Sequence, residues 1–217
     1  MKHTTSILLI FAVVLTSCSN LSNLTKGTLI GTTAGAAVGA AAGAYFGDTT
    51  KGAIIGAAVG GATGAIIGRN MDKQAEELAK MEKAKVERIG EGIAISFESG
   101  LLFATNSAEL QDAARQNLTI LAASMKNNPD SDLLIVGHTD ATGSEEYNKT
   151  LSERRAASAR AFLVSQGVAE SRIKFEGRGE SEPIADNETE AGRDANRRIE
   201  VAIFANEEYV KRMQAQN

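Results

Sequence analysis

Two periodicities divide this chain of 217 residues. Between Gly27 and Gly68 glycine recurs every fourth position, at 27, 31, 35, 39, 43 and 47 and again at 52, 56, 60, 64 and 68, with Gly61 extra. Asp48-Thr49-Thr50-Lys51 separates the two runs, and Leu29-Ile30-Gly31 aligns with Ile54-Ile55-Gly56, so the segment is an internal repeat. A step of four puts the glycines on one stripe of a helix. Each costs about 1 kcal/mol relative to alanine in a helix interior, which close helix-to-helix approach along a small-residue groove can offset. The pattern predicts a helical hairpin over 27–69 with residues 48–51 at its tip. A bilayer-inserted hairpin, a packed soluble one and an oligomerising stalk all fit it. Residues 70–90 then carry opposite charges at i, i+3 and i+4 (Asp72, Lys73, Glu76, Glu77, Lys80, Lys83, Glu87), which predicts a charged helical linker that either spaces two domains or packs on the second.

Beyond residue 91 the pattern becomes that of a folded domain, expected over 91–206. Ile93, Ile95 and Phe97 alternate with Ala94 and Ser96, a half-buried strand, and residues 101–103 offer a short return strand. Apolar residues at 110, 114, 118, 121, 122 and 125 mark an amphipathic helix that Asn127-Asn128-Pro129 ends. Leu133 to Val136 is apolar on both faces, as in a buried central strand. A helix around residues 151–166, a strand at 173–176, a long loop over 177–196 and a strand at 197–205 follow, with a tail at 207–217. The order predicts an α+β two-layer sandwich, one mixed sheet with two main helices.

Composition narrows the class. Aromatic residues are 5% and tryptophan is absent, so no stacking platform is available; a net charge of −4 argues against nucleic acid as the main partner. Residues 1–17 read as an export signal: Lys2 and His3, then an apolar core from Ile7 to Leu15 too short to span a bilayer. Leu15-Thr16-Ser17-Cys18 looks like a bacterial lipobox, which implies cleavage before Cys18, acylation of its thiol and a polar spacer over 18–26. Ser19 in place of an aspartate points to the outer membrane. Cys18 is the single cysteine, so the exported domain folds without a disulfide.

The chemistry concentrates in the central strand's exit. Asp140 lies at its loop mouth, and Arg155 falls on the inner side of the next helix, i+4 from Leu151. A carboxylate accepts from an ammonium and a guanidinium grips a carboxylate bidentately, so together they can read a zwitterion. Taken alone, an aspartate and an arginine so placed are more often a helix cap and a surface ion pair. The run G-H-T-D-x-x-G-S-x-x-Y-N-x-x-L-S-x-x-R-A from Gly137 to Ala156, with Gly167, Arg172, Gly177, Gly179, Pro183 and the tail Gly192-Arg193-Asp194-Ala195-Asn196-Arg197-Arg198 behind it, resembles the peptidoglycan-binding domain of OmpA-like proteins and peptidoglycan-associated lipoproteins. The glycine ladder in turn resembles the glycine-zipper modules of envelope lipoproteins.

That resemblance implies Asp140 and Arg155 as the grip on the diaminopimelate of the wall's stem peptide. Thr142, Asn148 and, in a first binding loop with Phe103 and Ser107, Asn106 join them as ligand contacts, and of Arg193, Arg197 and Arg198 one supports the ligand carboxylate, with Arg197 chosen. The expected protein is an outer-membrane lipoprotein, lipid-anchored through Cys18 and facing the periplasm, that ties membrane to peptidoglycan. An envelope structural or assembly factor that homo-oligomerises through the ladder is the alternative. An enzyme is not expected, because His138 and Asp140 stand two residues apart with poor orienting geometry and no nucleophile elbow is present. Nor are a cofactor or a metal, for want of clustered ligands.

Overall fold

The computed structural model describes residues 47–104 and 106–216. The expected signal, Cys18 and the first run of the ladder up to Gly43 lie outside these residues. Helix α1 (Thr49–Ala57) and helix α2 (Gly61–Leu78) lead into a five-stranded sheet: β1 (Ala84–Ile89), β2 (Gly92–Glu98), β3 (Ser131–His138), β4 (Ile173–Gly179) and β5 (Arg198–Ala205). Between β2 and β3 come the turn α3 (Ser99–Leu102) and helix α4 (Asp112–Asn127). Helix α5 (Glu145–Ser165) connects β3 to β4, short helix α6 (Glu190–Asn196) precedes β5, and α7 (Glu207–Ala215) closes the chain. The strands run in the order β1-β2-β5-β3-β4; β3 and β4 pair in parallel and every other pair is antiparallel, which makes the sheet mixed.

Alternation along the strands sorts their side chains between two faces. On the front, Ile93, Ile95, Phe97, Leu133, Ile135, Ile199, Val201 and Ile203 meet Leu118, Leu121 and Met125 of α4 and Ala156, Ala159 and Leu163 of α5 in one buried cluster. On the back, Leu134, Val136, Ala202 and Phe204 meet Ala53, Ile54 and Ala57 of α1 in a second, smaller one. Backbone contact brings α5 onto the front: a Cβ on Gly137 would lie 2.2 Å from Ser152 O, and one on Gly177 would lie 2.4 Å from Glu153 N. These two glycines set the height of α5, and so of Arg155, above the sheet.

The structure differs from the sequence expectation before residue 91. The second run of the ladder is not one helical arm: it breaks at Ala58–Gly60, where the Glu91 carboxylate accepts from Val59 N and Gly60 N, each at 2.7 Å, and Gly60 and Gly61 take positive φ. Asp48 caps α1, accepting from Lys51 N, and the expected first arm of the hairpin lies outside the described residues. The charged linker is helical to Leu78, where Met71, Gln74 and Leu78 are buried, and then changes type: residues 84–89 form an edge strand paired with β2 through a turn at Gly90 (φ +54°). The boundary expected at residue 91 therefore falls inside a β-hairpin. Downstream, residues 99–102 form a helical turn in place of a return strand, with Phe103 bridged to Leu110, and the long loop after β4 contains α6. No helix among the described residues is long and apolar enough to cross a membrane.

Candidate functional site

A cavity of about 700 Å³ opens where β3 ends, between the loop that follows α3, the N-terminal half of α5 and the segment of α6. Asp140, Arg155, Thr142, Asn106, Asn148 and Arg197, the six residues singled out in the sequence, all line it. Three elements from distant parts of the chain bring them together.

Asp140 follows Thr139, whose N–H donates to Gly179 O at 2.8 Å and so holds the exit of β3 against β4. One carboxylate oxygen, Oδ1, accepts from Thr142 N at 2.8 Å, and Oδ2 pairs with Arg197 Nη1. Burial raises its pKa, but the hydrogen bonds from Arg197 and Thr142 outweigh that, leaving Asp140 below the ordinary aspartate value and ionised. Thr142 thus contributes its backbone N–H to fix the carboxylate. Asn148 (2% exposed) sits in the first turn of α5, which Ser144 caps, and its amide nitrogen donates to Asp140 O, Thr142 O and Glu180 Oε2. It knots the loop together from beneath.

Arg155 is 4% exposed and makes no ion pair among the described residues. Its Nε donates to Ser107 O at 2.9 Å, and the guanidinium carbon lies 5.3 Å from the centroid of the Phe103 ring. A buried guanidinium is costly without partners; one carbonyl and one aromatic face compensate in part, and burial lowers its pKa from the arginine value without removing its charge. Ser107 reaches it because Asn106 adopts left-handed backbone (φ +56°), turning the loop back so that Ser107 N also reaches Ala104 O. Asp140 and Arg155 are not joined to each other, so an acid and a base stand apart on the walls of one cavity.

The three arginines near the tail divide their work. Arg197 faces the cavity and holds Asp140, with Glu190 and Asp194 of α6 behind it. Arg193 also lines the cavity, but its Nη1 donates to Asn187 O and Glu188 O and its Nη2 to Glu190. Arg198 is buried and braces the fold through Glu200, Asn196 O and Glu182 O. Sequence reasoning did not single out Asn196: fully buried, its Oδ1 accepts from Ile184 N and Ala185 N while its Nδ2 donates to Ala185 O, tying down the loop that carries Arg197. His138 is outside the cavity lining. It is buried, neither ring nitrogen has a partner among the described residues, and burial, with Arg198 adding to it, pushes its pKa well below the histidine value. A base in that setting does not serve Asp140.

Fold and cavity together place side chains of both charges around one opening, on a mixed sheet with helices concentrated on one face. The OmpA family model matches residues 102–197, and a YMGG-like Gly-zipper model matches residues 1–72. The probable lipoprotein YiaD of Escherichia coli is 38% identical over 140 residues, 63% of this chain and 64% of YiaD. The outer-membrane lipoprotein YfiB of Pseudomonas aeruginosa is 37% identical over 131 residues, 60% of this chain and 78% of YfiB. The solved structure of the cell wall anchor of the type VI secretion system of Pseudomonas aeruginosa superimposes with a TM-score of 0.54 at 28% identity, over 62% of this chain and 96% of the other. The chain belongs to the OmpA family and joins the family's domain to a Gly-zipper segment.

Proposed function

We propose that this chain is an outer-membrane lipoprotein, acylated at Cys18 and facing the periplasm, that grips peptidoglycan noncovalently and ties membrane to wall. The ligand is the diaminopimelate end of the stem peptide. Its ammonium goes to Asp140, and its carboxylate goes to the terminal nitrogens of Arg155, whose Nε is already spent on Ser107. The observation that carries this reading is the separation of the two charges: both are held on the wall of one cavity, unpaired with each other, and Arg155 has no carboxylate partner among the described residues. Membership of the OmpA family and similarity to a cell wall anchor and to an outer-membrane lipoprotein support it.

In this reading Arg197 keeps Asp140 ionised and pointed inward, and Thr142, Asn148 and Asn106 shape the walls between the two charges. Sedimentation with purified sacculi tests the grip. Asp140→Ala and Arg155→Ala should each leave the protein in the supernatant while wild type pellets; variants that co-sediment as well as wild type reject the assignment. Palmitate labelling that persists in Cys18→Ser rejects the anchor.

A further inference from the structure

The back of the sheet carries the second observation of consequence. Its cover is α1, which comes from the glycine ladder rather than from the domain that the OmpA family model spans. Nine residues with Gly52 and Gly56 in the interior make a helix shorter than the roughly 12–15 residues an isolated helix needs in water, so docking is what keeps α1 helical. Three apolar side chains, Ala53, Ile54 and Ala57, make the contact. The seat is shaped for them: a Cβ on Gly92 would stand 2.6 Å from Ile54 Cγ2.

Two carboxylates far away in sequence hold the ends. At the front of α1 Glu182, itself 3% exposed, accepts from Thr49 N at 3.1 Å and Thr49 Oγ1 at 2.5 Å. At its exit Glu91 takes the N–H groups of Val59 and Gly60. Residues that flank the helix, Gly47, Gly60 and Gly61, have positive φ with open space where a Cβ would be, as suits a hinge. The interface is also incompletely satisfied. Thr50 Oγ1 on α1 and both ring nitrogens of His138, two residues beyond Val136 on the same face, are buried without partners among the described residues. Such groups regain hydrogen bonds from water when α1 lifts.

We infer that the back of the sheet is a reversible docking surface whose occupant is residues 49–57 of this same chain, a strap that opens while the front of the domain stays folded. Elements held by few apolar contacts open below the global unfolding free energy. Docked, α1 covers about 14 Å at 1.5 Å per residue. Released, the same nine residues reach at most about 31 Å as extended chain. On the tether reading above, on which this consequence rests, the strap stores roughly 17 Å of slack between the anchor and the wall-gripping domain.

Hydrogen exchange on the full chain in detergent, read by mass spectrometry, tests the release without any wall present. Amides of residues 53–57 are expected to exchange at least 100-fold faster than those of β3 and β5. Ile54→Asp should bring them to the rate of unstructured peptide while β3 and β5 keep their protection, and Glu182→Gln should give a rise of roughly tenfold. Exchange of residues 53–57 at the same rate as β3 in the wild type overturns the proposal, as does loss of β3 protection in Ile54→Asp. Sacculus binding by Ile54→Asp, measured separately, is expected to match wild type. Loss of wall binding in the wild type itself would remove the tether reading and leave the exchange result standing.

Discussion

The two faces of the sheet are covered by different means. The front is sealed by long helices, α4 and α5, whose apolar stripes interlock with strands contributed by the whole domain. The back is covered by one nine-residue helix over the middle of the sheet. Strand β3 shows the contrast within eight residues. Its front-facing series, Ser131, Leu133, Ile135 and Gly137, is uncharged and buried throughout. Its back-facing series runs Asp132, Leu134, Val136, His138, apolar in the middle and titratable at both ends, with all four buried. Stability therefore resides in front, and sensitivity to conditions lies behind. A binding domain gains from this separation, because the walls of its cavity rise from the rigid layer: Arg155 projects from α5 and Asp140 from the end of β3.

The largest effect expected from this comparison is a stability difference between faces. Phe97→Ala removes a fully buried front side chain and should cost about 3–5 kcal/mol in denaturant unfolding. Ile54→Ala, equally buried behind, should lower global stability by no more than about 2 kcal/mol, the free energy of docking itself, because the strap is then simply open in the native state. Equal losses would erase the distinction.

Next comes Asp132. Burial raises its pKa to about 6, and Arg172, 3.9 Å away, is too distant to reverse the shift. A carboxyl whose folded pKa is raised contributes stability that is complete below the unfolded value near 3.8 and is lost as pH rises through about 6. Asp132→Asn should therefore match wild type at pH 3.5 and exceed it by about 2–3 kcal/mol at pH 7.5, measured by chemical denaturation at both pH values.

His138 sends the opposite slope from the other end of the same face. Its folded pKa is depressed, by burial first and then by Arg198, with Arg178 adding and Asp48 opposing. Below about pH 6.5 the opened state takes up a proton that the docked state refuses, so docking should weaken by up to tenfold per pH unit. His138→Gln should flatten that dependence in exchange of the α1 amides, after correction for intrinsic rates. The smallest expected effect lies at the cavity rim. If Asn106 serves by its left-handed backbone, Asn106→Gly should bind sacculi within about twofold of wild type, whereas Asn106→Val should cost about 1–2 kcal/mol of strain and loosen Ser107 from Arg155. Weak binding by the glycine variant would assign the amide side chain to the ligand instead.

What the sequence made legible follows the same division. The front strands and helices announced themselves because periods of two and of three to four are visible without neighbours. Asp140 and Arg155 are both visible on a single strand-loop-helix unit, but it was the resemblance of the run Gly137 to Ala156 that paired them. Three features were hidden. Residues 84–89 read as helix because Lys83 and Glu87 are spaced for a helical face, while the strand depends on pairing with β2 across Gly90. The docking of Ala53, Ile54 and Ala57 depends on a surface supplied by strands far along the chain. The support of Arg155 is a backbone carbonyl, and main-chain acceptors leave no mark on residue identity.

Thr49 meets the folded unit at Glu182, whose own carbonyl accepts from Arg198, next to the arginine that holds Asp140. A pull on the N-terminal side would thus be felt a few bonds from the cavity and would bypass the apolar interior. Mechanical tension would load the Thr49–Glu182 contact first and peel α1 from that end, one contact after another.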